Sequence, residues 1–283
     1  MRYYSYPRSV AVSDFNKDIW PDIAVANTEI DSVGVFLGDR YGAFTSQQVY
    51  LTGSGSHPYF IAVGDFNNDQ HLDIAVANYD TNNVGILLGH DDRAFSNQIA
   101  FSIDPSHPIS IAVGDFNNDT WLDIVVANYG TDNIGVLPGH GDESFENMTM
   151  YSTGDGSKPL SVAVDDVNND MFLDIVVANF GTDIIDIFLG YGNGTFTVLM
   201  TYSTEIGSHP VSIAISDFNN DNWLDIPVAN KGTNNVGVFL GYGNGTFTKQ
   251  RTYSVGYGSD PNWIAVVNYA TDIVLILLKI CQC

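Results

Sequence analysis

Cysteine is nearly missing from this 283-residue chain: Cys281 and Cys283, the only two, stand at its extreme end. Two residues apart in a strand, their Cα atoms would lie roughly 6.6 Å from each other, the outer reach of a disulfide. They read as free thiols or a frayed tail, so cysteine usage does not identify a compartment. Basic residues are scarce too, with 10 Lys and Arg against 33 Asp and Glu and a net charge of −23. That balance repels nucleic acid and anionic membrane surfaces and attracts cations. No apolar run approaches the ~18 residues that a membrane-spanning helix requires. Residues 1–10, MRYYSYPRSV, lack the apolar centre of a secretory signal, so the start is either cytoplasmic or has lost its leader. Amphipathic helical spacing is nowhere sustained over three turns. Gly-x-Ser-x-Gly, His-Glu-x-x-His and phosphate-cradling glycine motifs are also missing, which removes the commonest hydrolase and nucleotide signatures.

What the chain has instead is repetition. DFNNDQHLD (65–73) returns as DFNNDTWLD (115–123), DVNNDMFLD (166–174) and DFNNDNWLD (217–225), with a rougher copy, DFNKDIWPD, at 14–22. Asp14, Asp65, Asp115, Asp166 and Asp217 open successive units of about 50 residues, the signature of stacked supersecondary elements. In the second unit, YFIAVGDF, LDIAVANY, NVGILLG and FSNQIAFSI are four apolar, strand-length segments parted by Asn, Asp, Gly and Thr. Four antiparallel strands per unit make a propeller blade, so the expected fold is all-β: one β-propeller over 1–283 with about six blades. Five would be complete. The sixth keeps DPNWIAV and VNYATDIVLILL but lacks the acidic loop between them, and RYYS at the start resembles a fourth strand that would close the last blade.

Finer features fit that plan. Ala62 and Gly64 alternate with Ile61 and Val63, suiting an inner strand, and Gly34, Gly85, Gly135 and Gly237 mark close packing on the third strand. Asn27, Asn78, Asn128, Asn179 and Asn230 end the second strand and are expected to bond turn backbone. Pro138 and Pro227 fall in strand segments, where each removes a ladder donor and calls for a bulge or an edge.

Three carboxylates in one short loop repel one another unless water or a cation lies among them. Each loop has oxygen-bearing side chains at positions 1, 3, 5 and 9, a set that suits the six to eight oxygens around calcium. The candidate ligands are Asp14, Asn16, Asp18 and Asp22; Asp65, Asn67, Asp69 and Asp73; Asp115, Asn117, Asp119 and Asp123; Asp166, Asn168, Asp170 and Asp174; and Asp217, Asn219, Asp221 and Asp225. The carbonyl of His71, at position 7, adds a backbone ligand, and Asn68, at position 4, suits a left-handed turn. Helix–loop–helix calcium sites need Gly at position 6 and Glu at position 12, which these loops lack; magnesium prefers more water, and zinc wants Cys or His. An acidic hairpin without metal is the poorer reading once five copies stand in register, and about five calcium ions would offset nearly half the net charge.

The five Asp-x-Asn-x-Asp-x-x-x-Asp loops, the VAVGDFN-like first strands and GYGNGTF at 190–196 and 241–247 make the sequence similar to the FG-GAP or VCBS-type repeat family, best known from the head propeller of integrin alpha subunits. The resemblance implies a calcium-stabilised, usually extracellular propeller found in adhesion or carbohydrate-associated proteins. The chain departs from it by having no glycine at loop positions 4 and 6. Sequons occur at Asn147, Asn193 and Asn244, the last two inside glycine-rich turns, where the turn is the simpler reading although a secreted glycoprotein would use them. His57, His107 and His209 precede Pro58, Pro108 and Pro210 in a recurring SHP and read as connectors between blades, because Lys158 takes the same place in the fourth.

Few residues break the repeat, so the expected function is non-enzymatic: an extracellular module binding a protein or glycan ligand, with neither nucleic acid nor membrane insertion. The alternative is a calcium-dependent enzyme domain acting on polysaccharide, a lyase or hydrolase, which would need a cluster of unique Lys, Arg, His or Tyr on one face.

Overall fold

The computed structural model describes residues 5–90, 94–103, 106–269 and 272–278, with side chains up to residue 266. It contains five four-stranded sheets, each made of strands consecutive in sequence, and a single 3-10 turn at Thr28–Ile30. The first sheet is β1 (Pro7–Ser13), β2 (Asp22–Asn27), β3 (Ser32–Phe36) and β4 (Gln48–Leu51); the second is β5 (Pro58–Gly64), β6 (Asp73–Asn78), β7 (Asn83–Leu87) and β8 (Ile99–Ser102). The third is β9 (Pro108–Gly114), β10 (Asp123–Asn128), β11 (Asn133–Leu137) and β12 (Thr149–Ser152); the fourth is β13 (Pro159–Asp165), β14 (Asp174–Asn179), β15 (Ile184–Gly190) and β16 (Phe196–Ser203). The fifth is β17 (Pro210–Ile213), β18 (Ile226–Asn230), β19 (Asn235–Phe239) and β20 (Arg251–Ser254). A two-stranded hairpin of β21 (Trp263–Tyr269) and β22 (Asp272–Leu278) follows, with Trp263 opposite Leu278. With no acidic loop to turn the chain, β21 runs straight from a first-strand sequence, WIAV, into a second-strand ending, VNY. The expected N-terminal closing strand, RYYS at 2–5, lies outside the described residues except for Ser5, and Cys281 and Cys283 lie outside them too.

The chain divides into two compact units, Met1–Val113 with Asp119–Thr131 and Gly135–Thr149, and Gly114–Asn118 with Asp132–Ile134 and Met150–Cys283. In the first, Ala24, Val33 and Val35 pack with Ile61, Ile74 and Val76 to join the first two sheets, while Ala75, Val84 and Ile86 pack with Ile111, Ile124 and Val126 to join the second to the third. Alternate residues of β6 thus serve opposite faces, which is why DIAVAN is apolar throughout instead of alternating with polar residues. In the second unit, Val176, Ala178, Ile185 and Ile187 pack in the same way with Ile213, Ile226, Val228 and Phe239. Each such buried Val, Ile or Phe side chain contributes about 1.5–3 kcal/mol relative to exposure.

The irregular residues have local explanations. β1, β5, β13 and β17 start on a proline followed by a register shift, so the missing N–H falls at the strand's first residue. Pro227 lies inside β18 with neither bulge nor edge. The Ala214 N–H donates to its carbonyl (3.2 Å) but Pro227 cannot reciprocate, and β17 ends at Ile213, four residues long where β5 and β13 have seven. Pro138 sits just past β11, where its carbonyl accepts the Glu146 N–H (2.8 Å).

The third-strand glycines are required by the fourth strand. A Cβ on Gly85 would lie 2.0 Å from Gln98 Oε1, and one on Gly237 2.0 Å from Gln250 Oε1. These glutamines also correct the expected role of the second-strand asparagines. Buried Asn78 donates to Asn83 Oδ1 (2.7 Å) and Gln98 Oε1 (3.0 Å), and Asn230 to Asn235 Oδ1 (2.8 Å) and Gln250 Oε1 (3.2 Å), side-chain acceptors and not turn backbone. In the fourth sheet Asp186 replaces the glycine and is only 4% exposed. It accepts from Asn179 Nδ2 (2.7 Å) and Thr201 Oγ1 (2.6 Å), and burial raises its carboxyl against those two bonds.

Candidate functional site

Each four-stranded sheet has two chemically different ends. At one, the acidic loop links the first strand to the second. Position 1 folds the loop over itself: Asp65 Oδ1 accepts the Asp69 N–H (3.1 Å) and Oδ2 the Gln70 N–H (2.7 Å), with the same pattern at Asp14, Asp166 and Asp217. Position 3 accepts the position-5 N–H, at Asn16, Asn67, Asn168 and Asn219 (2.9–3.2 Å). Position 5 takes the position-7 N–H, at Asp18, Asp69, Asp119, Asp170 and Asp221 (2.8–3.0 Å). The expected left-handed turn is present at position 4, with Asn68 at φ 58° and Lys17, Asn118, Asn169 and Asn220 alike. Position 6 is left-handed as well, at Ile19, Gln70, Thr120, Met171 and Asn222. Such backbone costs a β-branched residue roughly 1–2 kcal/mol, so the loop bonds must hold it in place.

Position 9 is committed to the fold. Asp22, Asp73, Asp123, Asp174 and Asp225 are fully buried, and Oδ1 of each accepts the N–H of a glycine at or just past the end of the third strand, Gly38, Gly89, Gly139, Gly190 or Gly241 (2.8–2.9 Å). Oδ2 of Asp22, Asp73, Asp174 and Asp225 accepts the N–H of loop position 2 (2.8–3.0 Å). Burial pushes the carboxyl of Asp73 up to about 6 and that of Asp174 up to about 7; the N–H bonds oppose this, and the two other loop carboxylates add to it. Asp22 and Asp225 are raised for the same reasons.

The donors match calcium in kind, being all oxygen and largely carboxylate, and a carboxylate oxygen that accepts one N–H keeps a second lone pair. In three loops the position-3 amide turns its nitrogen to position 5, Asn67 Nδ2 to Asp69 Oδ2 (3.0 Å), Asn168 Nδ2 to Asp170 Oδ2 (2.8 Å) and Asn219 Nδ2 to Asp221 Oδ2 (2.7 Å). Among the described residues, no three His, Cys, Asp or Glu side chains are already disposed as a metal site.

The opposite ends carry the connections between sheets. His57, His107, Lys158, His209 and Asp260 all adopt φ between 43° and 50° there. Their N–H groups donate to Asp31, Asn82, Asp132, Asp183 and Asn234 Oδ1 (2.8–3.0 Å), so the expected connector role is borne out. His107 stacks on Tyr79 (centroids 4.6 Å) and His209 on Phe180 (4.8 Å), with Nδ1 of each against the carbonyl of the residue it covers (3.1 and 3.2 Å). A carbonyl only accepts, so Nδ1 carries the proton in both.

His57 differs. Its Nδ1 pairs with the Asp80 carboxylate. The third, fourth and fifth repeats have Gly130, Gly181 and Gly232 in place of Asp80, and a Cβ there would meet backbone carbonyl oxygen or the connector histidine at 2.0–2.7 Å. Asp80, like Glu29 at the same place in the first repeat, therefore departs from a packing rule that the three later repeats obey, and its pairing with His57 marks it for function more than for stability. Around the pair, Tyr59 stacks on Tyr79 (4.7 Å) and the Arg8 guanidinium lies over Tyr59 (4.4 Å), giving a continuous Arg8, Tyr59, Tyr79, His107 column within the first unit. The Tyr79 hydroxyl is raised by burial first, then by Tyr59, Tyr129 and Asp80. The sequence reading passed over Arg8, Tyr59, Tyr79 and Asp80. Aligning the repeats would have exposed them, since Arg8 and Tyr59 fall where later repeats have Ile109, Leu160 and Val211.

The family described as FG-GAP-like repeat matches residues 14–76, 65–126, 115–177 and 166–228. No curated protein matches the sequence significantly. Among solved structures, virginiamycin B lyase from Staphylococcus aureus aligns with a TM-score of 0.65 at 13% identity, over 98% of this chain and 86% of that one. A candidate 6-phosphogluconolactonase from Bacteroides fragilis aligns at 0.72 and 16%, over 96% and 76%. An Agrocybe aegerita lectin that recognises non-reducing terminal N-acetylglucosamine aligns at 0.64 and 19%, over 95% and 70%. At these identities the likeness establishes the fold, a β-propeller built of repeats. It also overturns the expectation that the chain is not an enzyme: a lyase carries the same fold, so a largely unbroken repeat is no ground for excluding catalysis. No helix among the described residues is long and apolar enough to cross a membrane.

Proposed function

The chain belongs to the FG-GAP-like repeat family, and from that premise we propose that it is a polysaccharide-active enzyme domain, a propeller of about six blades stabilised by calcium in its acidic loops. The observation that carries this reading is Asp80, set against His57 where later repeats have glycine. The Asp80 carboxylate lying beside Nδ1 favours a proton on that nitrogen and leaves Nε2 as the proton-accepting one. The faces of Tyr59 and Tyr79 are covered within the column, so these rings offer a sugar their edges and hydroxyls, and Arg8 supplies charge. Arg8 and Tyr59 depart from the later repeats, and they stand beside His57 and Tyr79, which recur as His107 and Tyr129. A histidine-to-alanine form of virginiamycin B lyase described as catalytically inactive supports histidine-dependent chemistry on such a fold.

Calcium would be held by the side chains of positions 1, 3, 5 and 9 in each loop, with the position-3 amide rotated to offer its oxygen. When bound, it would neutralise carboxylates that otherwise repel one another. We place the protein outside the cell, where polysaccharide occurs and where modules of this type bind calcium at roughly 10⁻⁴ to 10⁻³ M. The test is release of reducing ends from a panel of neutral and acidic polysaccharides. Asp80→Gly restores the residue of its three later counterparts, so it should fold normally while losing roughly 100-fold or more in kcat. Full activity in that variant, or no cleavage of any polysaccharide by the parent chain, would refute the proposal.

A further inference from the structure

Resting on that reading, the geometry points to a substrate that carries carboxylates, a uronate-containing polysaccharide, cut by elimination and not by hydrolysis. Hydrolysis of a glycosidic bond ordinarily employs two carboxyl groups, one protonated as the acid. The carboxylates that contact His57 are already committed. Asp80 holds Nδ1, and Asp31 accepts the N–H groups of Gly55 (2.7 Å) and His57 (3.0 Å). Burial alone would raise the Asp31 carboxyl, but those N–H bonds and the nearby His57 ring hold it below its ordinary range, so it stays ionised.

What remains free is the equipment for elimination. Among the described residues Arg8 has no carboxylate partner, although acids outnumber bases by more than three to one; its guanidinium is held over Tyr59 with its edge open. A guanidinium edge takes a carboxylate in two parallel hydrogen bonds. So placed, it withdraws charge from the carboxylate and acidifies the C–H on the ring carbon that bears it. His57 Nε2 removes that proton. The C–H electron pair becomes a carbon–carbon double bond, and the glycosidic C–O bond on the neighbouring carbon breaks with its pair on oxygen. That oxygen takes the Tyr59 hydroxyl proton, and the tyrosinate recovers one from imidazolium His57. No water is consumed and nothing is oxidised. One new chain end is an unsaturated uronate, conjugated and ultraviolet-absorbing.

The experiment uses the full chain with polygalacturonate and alginate as probes, alongside carboxyl-reduced polygalacturonate and neutral polysaccharides, following ultraviolet absorbance and reducing ends together. The expected result is matched growth of both signals on a polyuronate and neither on the reduced polymer. Arg8→Gln, at an exposed position, should lower kcat/KM roughly 10- to 100-fold, the value of a lost charge-assisted bond, and Arg8→Lys should recover part of it. Reducing ends without absorbance, or cleavage confined to neutral polymers, would overturn the inference while leaving the enzyme reading intact. Cleavage of nothing would overturn both.

Discussion

Replacing Gly85 by alanine should destabilise the second sheet by about 2 kcal/mol, and the loss should vanish when Gln98 is removed as well. The backbone at Gly85 is not left-handed, so alanine meets no φ penalty and regains about 0.5–1 kcal/mol of strand propensity. Its Cβ, however, would lie 2.0 Å from Gln98 Oε1 and 2.2 Å from Cδ, so the glutamine must swing away. That breaks the bond from Gln98 Nε2 to the Thr52 carbonyl (3.0 Å) and the one from Asn78 Nδ2 (3.0 Å), each about 1 kcal/mol net. Fully buried Asn78 then keeps only Asn83 Oδ1, at about 1 kcal/mol more. Gln98→Ala loses the same bonds without a clash. The Gly85→Ala, Gln98→Ala double variant should therefore be no less stable than Gln98→Ala alone, a coupling of about 2 kcal/mol in a double-mutant cycle read by urea unfolding and tryptophan fluorescence. The chain already contains one solution to this conflict, since in the fourth sheet Asp186 replaces the glycine and Leu199 the glutamine, while Thr201, opposite Asp186, donates to its carboxylate. Additive losses in the two single variants would refute the reasoning.

Three further outcomes are expected. Stripping metal and then adding millimolar calcium should raise the melting temperature by mass action, magnesium should not, and an unchanged melting point would end the calcium proposal. The Asp186 carboxyl is raised in the folded protein, so it binds protons there that the unfolded chain gives up. Its contribution is fully present below the unfolded value of 3.8 and is lost as pH rises through the folded value. Asp186→Asn should flatten that fall in urea midpoint and gain stability at neutral pH, and an unchanged pH profile would count against it. Asp225→Ala removes the acceptor for the part-buried N–H of Phe218 and the buried N–H of Gly241, costing about 3 kcal/mol in urea unfolding, and a loss under 1 kcal/mol would be inconsistent with that role.

The sequence disclosed whatever repeats. A loop recurring every 50 residues announced the four-stranded unit, and Asn68 at position 4 was legible as a left-handed turn because Asn tolerates that backbone. Partners set by tertiary register were not legible. Asn78 and Gln98 lie 20 residues apart and meet only once β7 and β8 have paired, so the asparagine looked like a turn residue. Position 9 of the loops read purely as a ligand because the glycine N–H it accepts comes from a separate turn, 16 residues on. Pro227 looked like a contradiction, yet the sheet absorbs it by ending β17 early. The Asp80 and His57 pair was hidden by the same repetition that revealed the fold, since connector histidines recur and a single glycine-to-aspartate change is one letter among many.

The capped connections also bear on how such a chain grows. Asp31 holds the N–H groups of Gly55 and His57, Asp132 those of Gly156 and Lys158, and Asp183 those of Gly207 and His209, always 24 and 26 residues ahead. Every repeat therefore encodes the clasp for the joint that follows it. A gene segment of one period, duplicated or deleted in frame, carries its own hinge pin, and the ladder of sheets can change length by unequal crossing-over without leaving a joint unfastened.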